Sequence, residues 1–172
     1  MSDLVRPPDW EEPVELPPVA GPQRVCVPFD GSHTAERALA WAQLVARATK
    51  AEIVVVVAYE PPLTLRGRGS LYVTHTRAEL AEEATALAEE SVLLLRNQGL
   101  EARGIVVTGD PARGILDVVD DEACDLIVMG RKGLTAELEG APGAVQRFRE
   151  ILAGGVAEKI ARHATVPVLL VS

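Results

Sequence analysis

Positive charge and cysteine are both scarce in this chain. Its 172 residues contain 17 Lys and Arg against 25 Asp and Glu, which gives a formal net charge of -8. Broad affinity for nucleic acid or anionic lipid begins with a basic face, so we expect neither nucleic acid nor a membrane as a partner. The two cysteines, Cys26 and Cys124, lie in or beside apolar runs and lack CxxC or Cys/His spacing. They are predicted to be buried thiols rather than a disulfide or a metal site.

Long apolar runs and targeting signals are also missing. No apolar stretch approaches the ~18 residues of a membrane span. The N-terminus carries Pro, Trp and acids where a secretory signal has a basic patch and an apolar core. We therefore expect a cytoplasmic protein. A length of 172 residues suits one compact domain.

Common catalytic motifs do not occur in the sequence. It has no G-x-S-x-G nucleophile elbow, no G-x-x-x-x-G-K-[ST] loop and no G-x-G-x-x-G at the start of the first helix. The three histidines, His33, His75 and His163, fall on separate predicted elements. We assign no catalytic and no metal-binding residue, and at most a weak hydrolytic activity is expected.

Residues 1–22 differ in composition from the rest of the chain. They contain six prolines and five acids but only one arginine. Such a segment predicts a solvated, largely disordered tail. The folded domain is then expected over residues 23–172.

Apolar strands alternate with helical patterns along residues 23–172. The strands are apolar on both faces, as in "AEIVVVVAY", which is typical of strands covered by helices on each side. The alternation predicts an α/β fold, a doubly wound parallel sheet of five strands with right-handed crossovers and helices on both faces. The predicted strands are 24–29, 51–59, 102–109, 125–130 and 166–171.

Capping residues mark the second and third helices. Thr76 with Glu79 resembles a capping box and Gly99 supplies a C-terminal stop. Asp110 caps the third helix and Pro111 occupies its first position. Residues 61–73 contain too many breakers for a regular element. The inward stripe of the second helix is predicted on Leu80, Ala84, Leu87, Ser91 and Leu94.

Two turns at strand ends carry the most suggestive chemistry. "PFDGS" ends the first strand at 28–32, and "MGRKG" ends the fourth at 129–133. Ligands of open parallel sheets bind beyond the carboxyl ends of the strands, where the strand order reverses. If the two strands are neighbours, these turns face each other across a crevice.

The order and spacing of several motifs resemble those of the universal stress protein family. They are "VPFDGS" at 27–32, "GDP" at 109–111, "DLIVMGRKG" at 125–133 and "GGVAEKIARHATVPVLLV" at 154–171. The resemblance covers about 150 residues and implies the strand order 3-2-1-4-5. Nucleotide-binding members of the family carry G-x-x-G, nine residues, then G-S or G-T.

This chain keeps the first half of that pattern and departs from the second. Gly130 and Gly133 let the backbone curl around phosphate oxygens. Nine residues later stands Gly143, which precedes no family-like helix, whereas the helix "VAEKIARHA" follows Gly155. We align on the helix, because phosphate must meet a helix N-terminus. Gly155 then stands where the nucleotide-binding members have Ser or Thr, so their hydroxyl is missing here. An insertion occupies about 134–150.

The two departures should weaken binding rather than abolish it. A lost hydroxyl contact costs about 0.5 to 1.5 kcal/mol. The longer loop adds roughly 0.7 kcal/mol of closure entropy. Together they lower the affinity by about tenfold. Four cations would offset part of this loss if they lie near the phosphates, and the alternative is that they are solvated surface charges. They are Arg131, Lys132, Arg147 and Arg149.

The resemblance implies a role for each matching residue. Asp30 would hydrogen-bond the base or ribose edge, and it also suits an Asx turn or helix cap beside Ser32. Pro28 would shape the pocket wall, and the backbone of Ala58 would read the adenine edge. The expected nucleotide is ATP, with ADP or AMP as alternatives, with or without Mg. The ribose and phosphates would be lined by Met129, Gly130, Arg131, Gly133, Gly154, Gly155 and Val156.

Two functions stay open on the sequence. The first is an ATP- or adenine-nucleotide-binding regulatory protein of the stress response. The second is a dimeric interaction module of the same fold that no longer binds nucleotide. The retained G-x-x-G favours the first, and the missing hydroxyl favours the second. An unknown protein partner is compatible with either.

The last strand is expected to form a homodimer. In the order 3-2-1-4-5 it lies at a sheet edge, and "VPVLLV" has no lysine or bulge to discourage pairing. Two-fold pairing with a second copy would close this edge. The interface is predicted on Val168, Leu169, Leu170 and Val171.

Overall fold

The computed structural model of the chain describes residues 18, 20–60, 77–131 and 155–172. Strands and helices alternate through these ranges as the sequence predicts. Four features expected from the sequence lie outside these ranges: the tail before residue 18, the segment 61–73, the Thr76 cap and the insertion at 134–150. The elements are β1 (Arg24–Pro28), α1 (His33–Thr49), β2 (Glu52–Tyr59), α2 (Arg77–Asn97), β3 (Ala102–Thr108), α3 (Pro111–Asp121), β4 (Leu126–Gly130), α4 (Val156–His163) and β5 (Val168–Val171).

The five strands form one parallel sheet of order β3-β2-β1-β4-β5. This confirms both the predicted fold and the strand order. From β1 the chain first builds outward through β2 and β3, then returns to add β4 and β5 on the other side of β1. The order therefore reverses between β1 and β4, where Cys26 lies opposite Ile127. Ligand sites of such sheets occur at this switch point.

Each face of the sheet is covered by two helices. The helices α1 and α2 pack with Val25, Val27 and Val55 in one core. The helices α3 and α4 pack with Cys26 and Val54 in the other. Strands with apolar residues on both faces are what this two-sided burial requires.

Both cysteines are buried and free, as the sequence predicts. The Cys26 thiol lies in the core below α3 and α4. A hydrogen bond with Cys124 and then burial raise the pKa of Cys26 well above its ordinary value. A neutral thiol behaves there as a small apolar side chain.

Helix ends follow the predicted capping chemistry. The Oδ1 atom of Asp110 accepts a hydrogen bond from Arg113 N at 2.9 Å, and Pro111 is the first residue of α3. After α2, Gly99 has a φ of 77° and its N–H donates to Arg96 O at 2.9 Å. A left-handed glycine at this position ends the helix without a Cβ penalty.

The predicted inward face of α2 is wrong at one position. Leu94 points outward and is 45% exposed. The small residue Ala88 brings α2 close to β3, where a Cβ on Gly104 would lie 3.2 Å from Ala88 Cβ. With this approach, Leu95 rather than Leu94 faces the sheet at the end of α2. The buried residues are Ala84, Ala88, Ser91, Val92 and Leu95.

Membrane-spanning character is absent from the described helices. Within residues 20–60, 77–131 and 155–172, no helix combines the length and apolar composition needed to cross a bilayer.

Candidate functional site

The site lies where β1 and β4 end beside each other at the carboxyl edge of the sheet. β1 separates from β2 after Phe29, whose N–H donates to Val56 O at 2.9 Å. The turn that follows contains Gly31 at a φ of 76°, in the left-handed region. This turn and the end of β4 lie beside each other at the carboxyl edge of the sheet, because β1 and β4 are neighbours. We call the space beyond the ends of these two strands the crevice.

The Asp30 side chain organises this turn. Its Oδ1 atom accepts a hydrogen bond from Ser32 N at 3.1 Å, which closes an Asx turn. Ser32 is 1% exposed, and its Oγ accepts a hydrogen bond from Ala35 N at 3.2 Å as the N-cap of α1. The Asx turn predicted for Asp30 is therefore confirmed, and the N-cap of α1 is Ser32 rather than Asp30. Contact of Asp30 with a base or ribose stays a prediction.

The Ala58 peptide points toward the β1 side of β2, beyond the end of β1. Peptide groups alternate between the two neighbours of a parallel strand, so Ala58 points the same way as Val56, which bonds to β1. The next peptide, that of Tyr59, accepts a hydrogen bond from Gly109 N at 3.0 Å on the opposite side. The groups of Ala58 thus face the crevice, as a backbone contact to a base edge requires. Pro28 is buried at the end of β1, and its role as a pocket wall stays a prediction.

Gly130 is needed for packing at the end of β4. A Cβ at this position would lie 2.7 Å from Thr34 Oγ1 and 2.9 Å from the Thr34 carbonyl carbon. The backbone of β4 therefore comes this close to the first turn of α1 only because residue 130 is a glycine. Its φ is not among the positive values, so conformational freedom is not the reason.

The peptide of Gly130 faces the crevice, whereas that of Met129 does not. The amides of Ile127 and Arg131 donate to the chain around β5, to Pro167 O at 2.9 Å and Val171 O at 2.7 Å. By alternation Met129 points the same way, and Gly130 points toward β1. The Met129 side chain is 4% exposed and packs with α3 and α4. Met129 can thus supply an apolar floor but no polar contact, while the exposed Arg131 carries a positive charge at the rim.

The N-terminus of α4 has no side-chain cap. Gly155 is its N-cap and makes no side-chain hydrogen bond, and the exposed Val156 is its first residue. Among the residues that the structure describes, none lies within 4 Å of a Cβ built on Gly155. The N–H groups of a first helical turn and the positive end of the helix dipole are suited to an anion.

One carboxylate joins the N-termini of α3 and α4. The Oδ1 atom of Asp110 accepts the hydrogen bond from the Arg113 N–H. Its Oδ2 atom accepts a hydrogen bond from Lys159 Nζ at 3.2 Å. Lys159 lies one turn beyond Gly155, so this ion pair helps to hold the N-terminus of α4 in place. The hydrogen bond from the Arg113 N–H, followed by that from Lys159, lowers the pKa of Asp110.

Replacing Asp110 with Asn should separate these two contacts. Asn is as good an N-cap as Asp, but it loses the charge that pairs with Lys159. Because both groups are about half exposed, we expect the free energy of unfolding at pH 7 to fall by less than about 1 kcal/mol. Since the folded-state pKa is lowered, this contribution exists above about pH 4 and is lost as the pH falls further. Urea denaturation of both proteins at pH 7 and pH 3 measures it, and an unchanged difference at pH 3 contradicts the assignment.

Sequence reasoning missed Thr34 and Lys159. Thr34 has no motif of its own, and its contact with Gly130 appears only when α1 is packed on β4. The Lys159 contact is equally non-local. One signal was available, because Lys159 lies four residues after Gly155 and so shares a helix face with the expected phosphate anchor.

Several predicted site residues lie outside the described residues. Gly133 and Gly154 belong to this group, as do Lys132, Arg147 and Arg149. Within the described ranges, no three His, Cys, Asp or Glu side chains are grouped so that they could hold a metal ion.

Comparisons with known proteins agree on one family. The profile described as the Universal stress protein family matches residues 22–172. A universal stress protein of Thermus aquaticus is 34% identical over 148 residues, which cover 86% of this chain and 96% of that protein. The solved structure of protein MJ0577 has a TM-score of 0.66 and 26% identity, and the match covers 89% of this chain and 96% of that one.

Three solved neighbours below 25% identity share the fold, and their structures contain a nucleotide. A universal stress protein of Archaeoglobus fulgidus in complex with dAMP has a TM-score of 0.60 and 23% identity, over 87% of this chain and 98% of that one. Other neighbours are a family protein of Arabidopsis thaliana with AMP bound and a universal stress protein in complex with cAMP. With a family profile that matches residues 22–172 and a relative at 34% identity, the chain belongs to the universal stress protein family.

Proposed function

We propose that this protein is a regulatory protein of the stress response that binds an adenine nucleotide beyond the carboxyl ends of β1 and β4. The observation that carries the proposal is the N-terminus of α4, where Gly155 gives the first-turn N–H groups no side-chain cap. ATP is the expected ligand, with ADP and AMP as alternatives and with or without Mg. The AMP, dAMP and cAMP bound to structural neighbours support an adenine nucleotide.

The base and ribose would occupy the β1 and β2 end of the crevice. The Ala58 peptide offers one donor and one acceptor toward this space, which suits the edge of an adenine. The exposed Asp30 carboxylate stands beside it and Pro28 would form the wall. These groups bind and orient the ligand, and none of them is placed to catalyse a reaction on it.

The phosphates would meet β4 and α4. The Gly130 peptide faces the crevice, the Arg131 side chain adds positive charge at the rim, and the first turn of α4 supplies N–H groups. Because Gly155 has no hydroxyl, we expect micromolar-to-millimolar affinity rather than tighter binding.

The second candidate is a dimeric interaction module that does not bind nucleotide. Two observations favour it: Gly130 is explained by its packing against Thr34, and Gly155 lacks the hydroxyl of the binding members. In either case we propose a homodimer through β5, whose Leu169 and Leu170 are 37% and 40% exposed.

Gly155→Ser should tighten nucleotide binding by about tenfold, equivalent to about 1.4 kcal/mol. The backbone at Gly155 has a φ of -56°, and an added Cβ would have no described residue within 4 Å. Serine therefore fits without strain and restores the hydroxyl at the helix N-terminus. Calorimetric titration with ATP measures the change.

Gly155→Ala is the matched control, because it adds the same Cβ without the hydroxyl and should give no gain. Equal affinities for the serine variant and the original protein would contradict the role of Gly155. A loss of binding on Gly143→Val, together with no gain from serine, would place the anchor at Gly143 instead.

A further inference from the structure

The outer face of α1 carries an exposed apolar pair. Trp41 is 49% exposed and Leu44 is 58% exposed. Residues three apart on a helix are neighbours on its surface, so the two side chains form one patch. The helix buries its opposite side, which includes Ala38 and Ala42, against the sheet.

Arginines flank this patch at both ends. Arg37 lies one turn before Trp41, and Arg47 lies three residues after Leu44, so all four residues follow one another along the helix. The Arg47 guanidinium donates to Gln98 O at 3.3 Å and to Gln98 Oε1 at 3.1 Å, but both acceptors are neutral and leave its charge uncompensated. Within the helix, Glu36 is the single acid. We call Arg37, Trp41, Leu44 and Arg47 the α1 stripe. It combines apolar surface with positive charge in a chain whose net charge is -8.

The outer face of α2 offers the contrasting case. It also exposes leucines, Leu93 and Leu94. However, α2 contains five glutamates against two arginines. An acidic segment would be repelled there and attracted by the α1 stripe.

The N-terminal segment is anchored beside α1. Gly21 is packed on the last residue of α1, since a Cβ there would lie 2.8 Å from Thr49 Cγ2. Trp41 is eight residues before Thr49, about 12 Å along the helix axis. The eleven residues 10–20 can span about 36 Å when extended. The segment before Gly21 therefore reaches the whole α1 stripe.

The same segment has the complementary composition. Between residues 9 and 16 the sequence is "DWEEPVEL", which contains four acids and no basic residue. Trp10, Val14 and Leu16 are apolar and alternate with these acids. A segment of this kind has too little apolar surface to form its own core, but it can order on a surface that supplies apolar and charged partners.

We propose that residues 9–16 of this chain bind the α1 stripe, with their apolar side chains on Trp41 and Leu44 and their carboxylates beside Arg37 and Arg47. Covalent attachment makes this contact intramolecular, which gives a short segment an advantage over a free peptide of the same sequence. The α1 stripe is thus a docking surface for the protein's own acidic segment.

Tryptophan fluorescence of the full-length chain tests the proposal. The chain has two tryptophans, so Trp10→Phe leaves Trp41 as the only emitter while keeping an apolar residue at position 10. Acrylamide quenching of Trp41 is measured in this background, and again after Asp9, Glu11, Glu12 and Glu15 are changed to their amides. An exposed ion pair favours the docked over the undocked segment by up to about fivefold. Losing the charges should therefore reduce the docked population several-fold and raise the quenching.

A second variant tests the other partner of the contact. Arg37→Glu in the Trp10→Phe background should raise the quenching of Trp41 to the same level. Arg113→Glu is the matched control, because Arg113 is also an exposed helical arginine but lies on α3, on the other face of the sheet. It should leave the quenching unchanged.

Two outcomes would overturn the proposal. In the first, Trp41 is quenched equally in all variants and at all salt concentrations, so that nothing covers the α1 stripe. In the second, protection of Trp41 depends on protein concentration and not on the acids, so that a second copy of the chain covers it. Both readouts are independent of nucleotide binding, so they do not depend on the proposed function.

Discussion

Leu170→Glu is expected to convert the protein from a dimer to a monomer. Leu170 lies on β5, which pairs with β4 and has no strand on its other edge among the described residues. Its side chain is 40% exposed beside this open edge. In a two-fold interface each substitution occurs twice and the two new charges lie near each other. Sedimentation should give about twice the chain mass of 18.3 kDa for the original protein and about this mass for the variant.

The neighbouring strand position and a distant leucine complete this test. Val168 packs in the core below α3 and α4, and Val171 packs in the core below α1 and α2. By alternation, Leu169 and Leu170 point to opposite faces of the sheet. Both lie on the edge strand that would form the interface. Leu169→Glu should therefore dissociate the dimer as well. Leu93→Glu, on the outer face of α2, should not. A monomeric original protein at tens of micromolar would refute the proposed interface.

Gly130→Ala is expected to lower the free energy of unfolding by about 1 to 3 kcal/mol. The Thr34 hydroxyl could rotate away from an added Cβ, but the Thr34 carbonyl carbon at 2.9 Å belongs to the backbone. The first turn of α1 must then move away from β4, which also moves the Asp30 turn. Nucleotide affinity should fall with stability, because the Asp30 turn and the end of β4 both border the crevice.

Gly155→Ser is the control for an added side chain that has no described residue close by. At this N-cap serine should change the stability by only a few tenths of a kcal/mol. Urea denaturation curves of the original protein and the two variants give the comparison. Equal stabilities for all three proteins would show that the close approach of Gly130 to Thr34 carries no energetic weight.

Local features of the sequence predict most of the fold. Strand and helix positions follow from apolar periodicity, and the caps at Ser32, Asp110 and Gly99 depend on residues within three positions of one another. The strand order required more than periodicity. It followed from the resemblance to a family, because alternation alone allows several parallel arrangements.

Features that depend on packing between distant segments were not predicted. The inward face of α2 was misplaced at Leu94 because alanines, which carry a weak hydrophobic signal, approach Gly104 more closely than leucines can. The contacts of Thr34 with Gly130 and of Lys159 with Asp110 join residues that are far apart in sequence. No local pattern encodes such pairs.

The candidate site was predicted in outline rather than in its chemistry. The sequence locates the turn at Asp30 and the helix start at Gly155, and the structure describes both. The sequence does not reveal that Met129 is buried while the Gly130 peptide faces the crevice. This difference depends on which neighbouring strand each peptide group of β4 points toward.

Titration of ¹⁵N-labelled protein with ATP, followed by amide chemical shifts, tests whether the chain binds a nucleotide at this site. We expect saturable shifts at micromolar-to-millimolar ATP, concentrated on the amides of Ser32, Ala58, Gly130 and Val156. The contradicting result is an absence of shifts at millimolar ATP with and without Mg. Shifts confined to the opposite end of the sheet, in the groove lined by Arg47, Lys50 and Gly99, would equally contradict it.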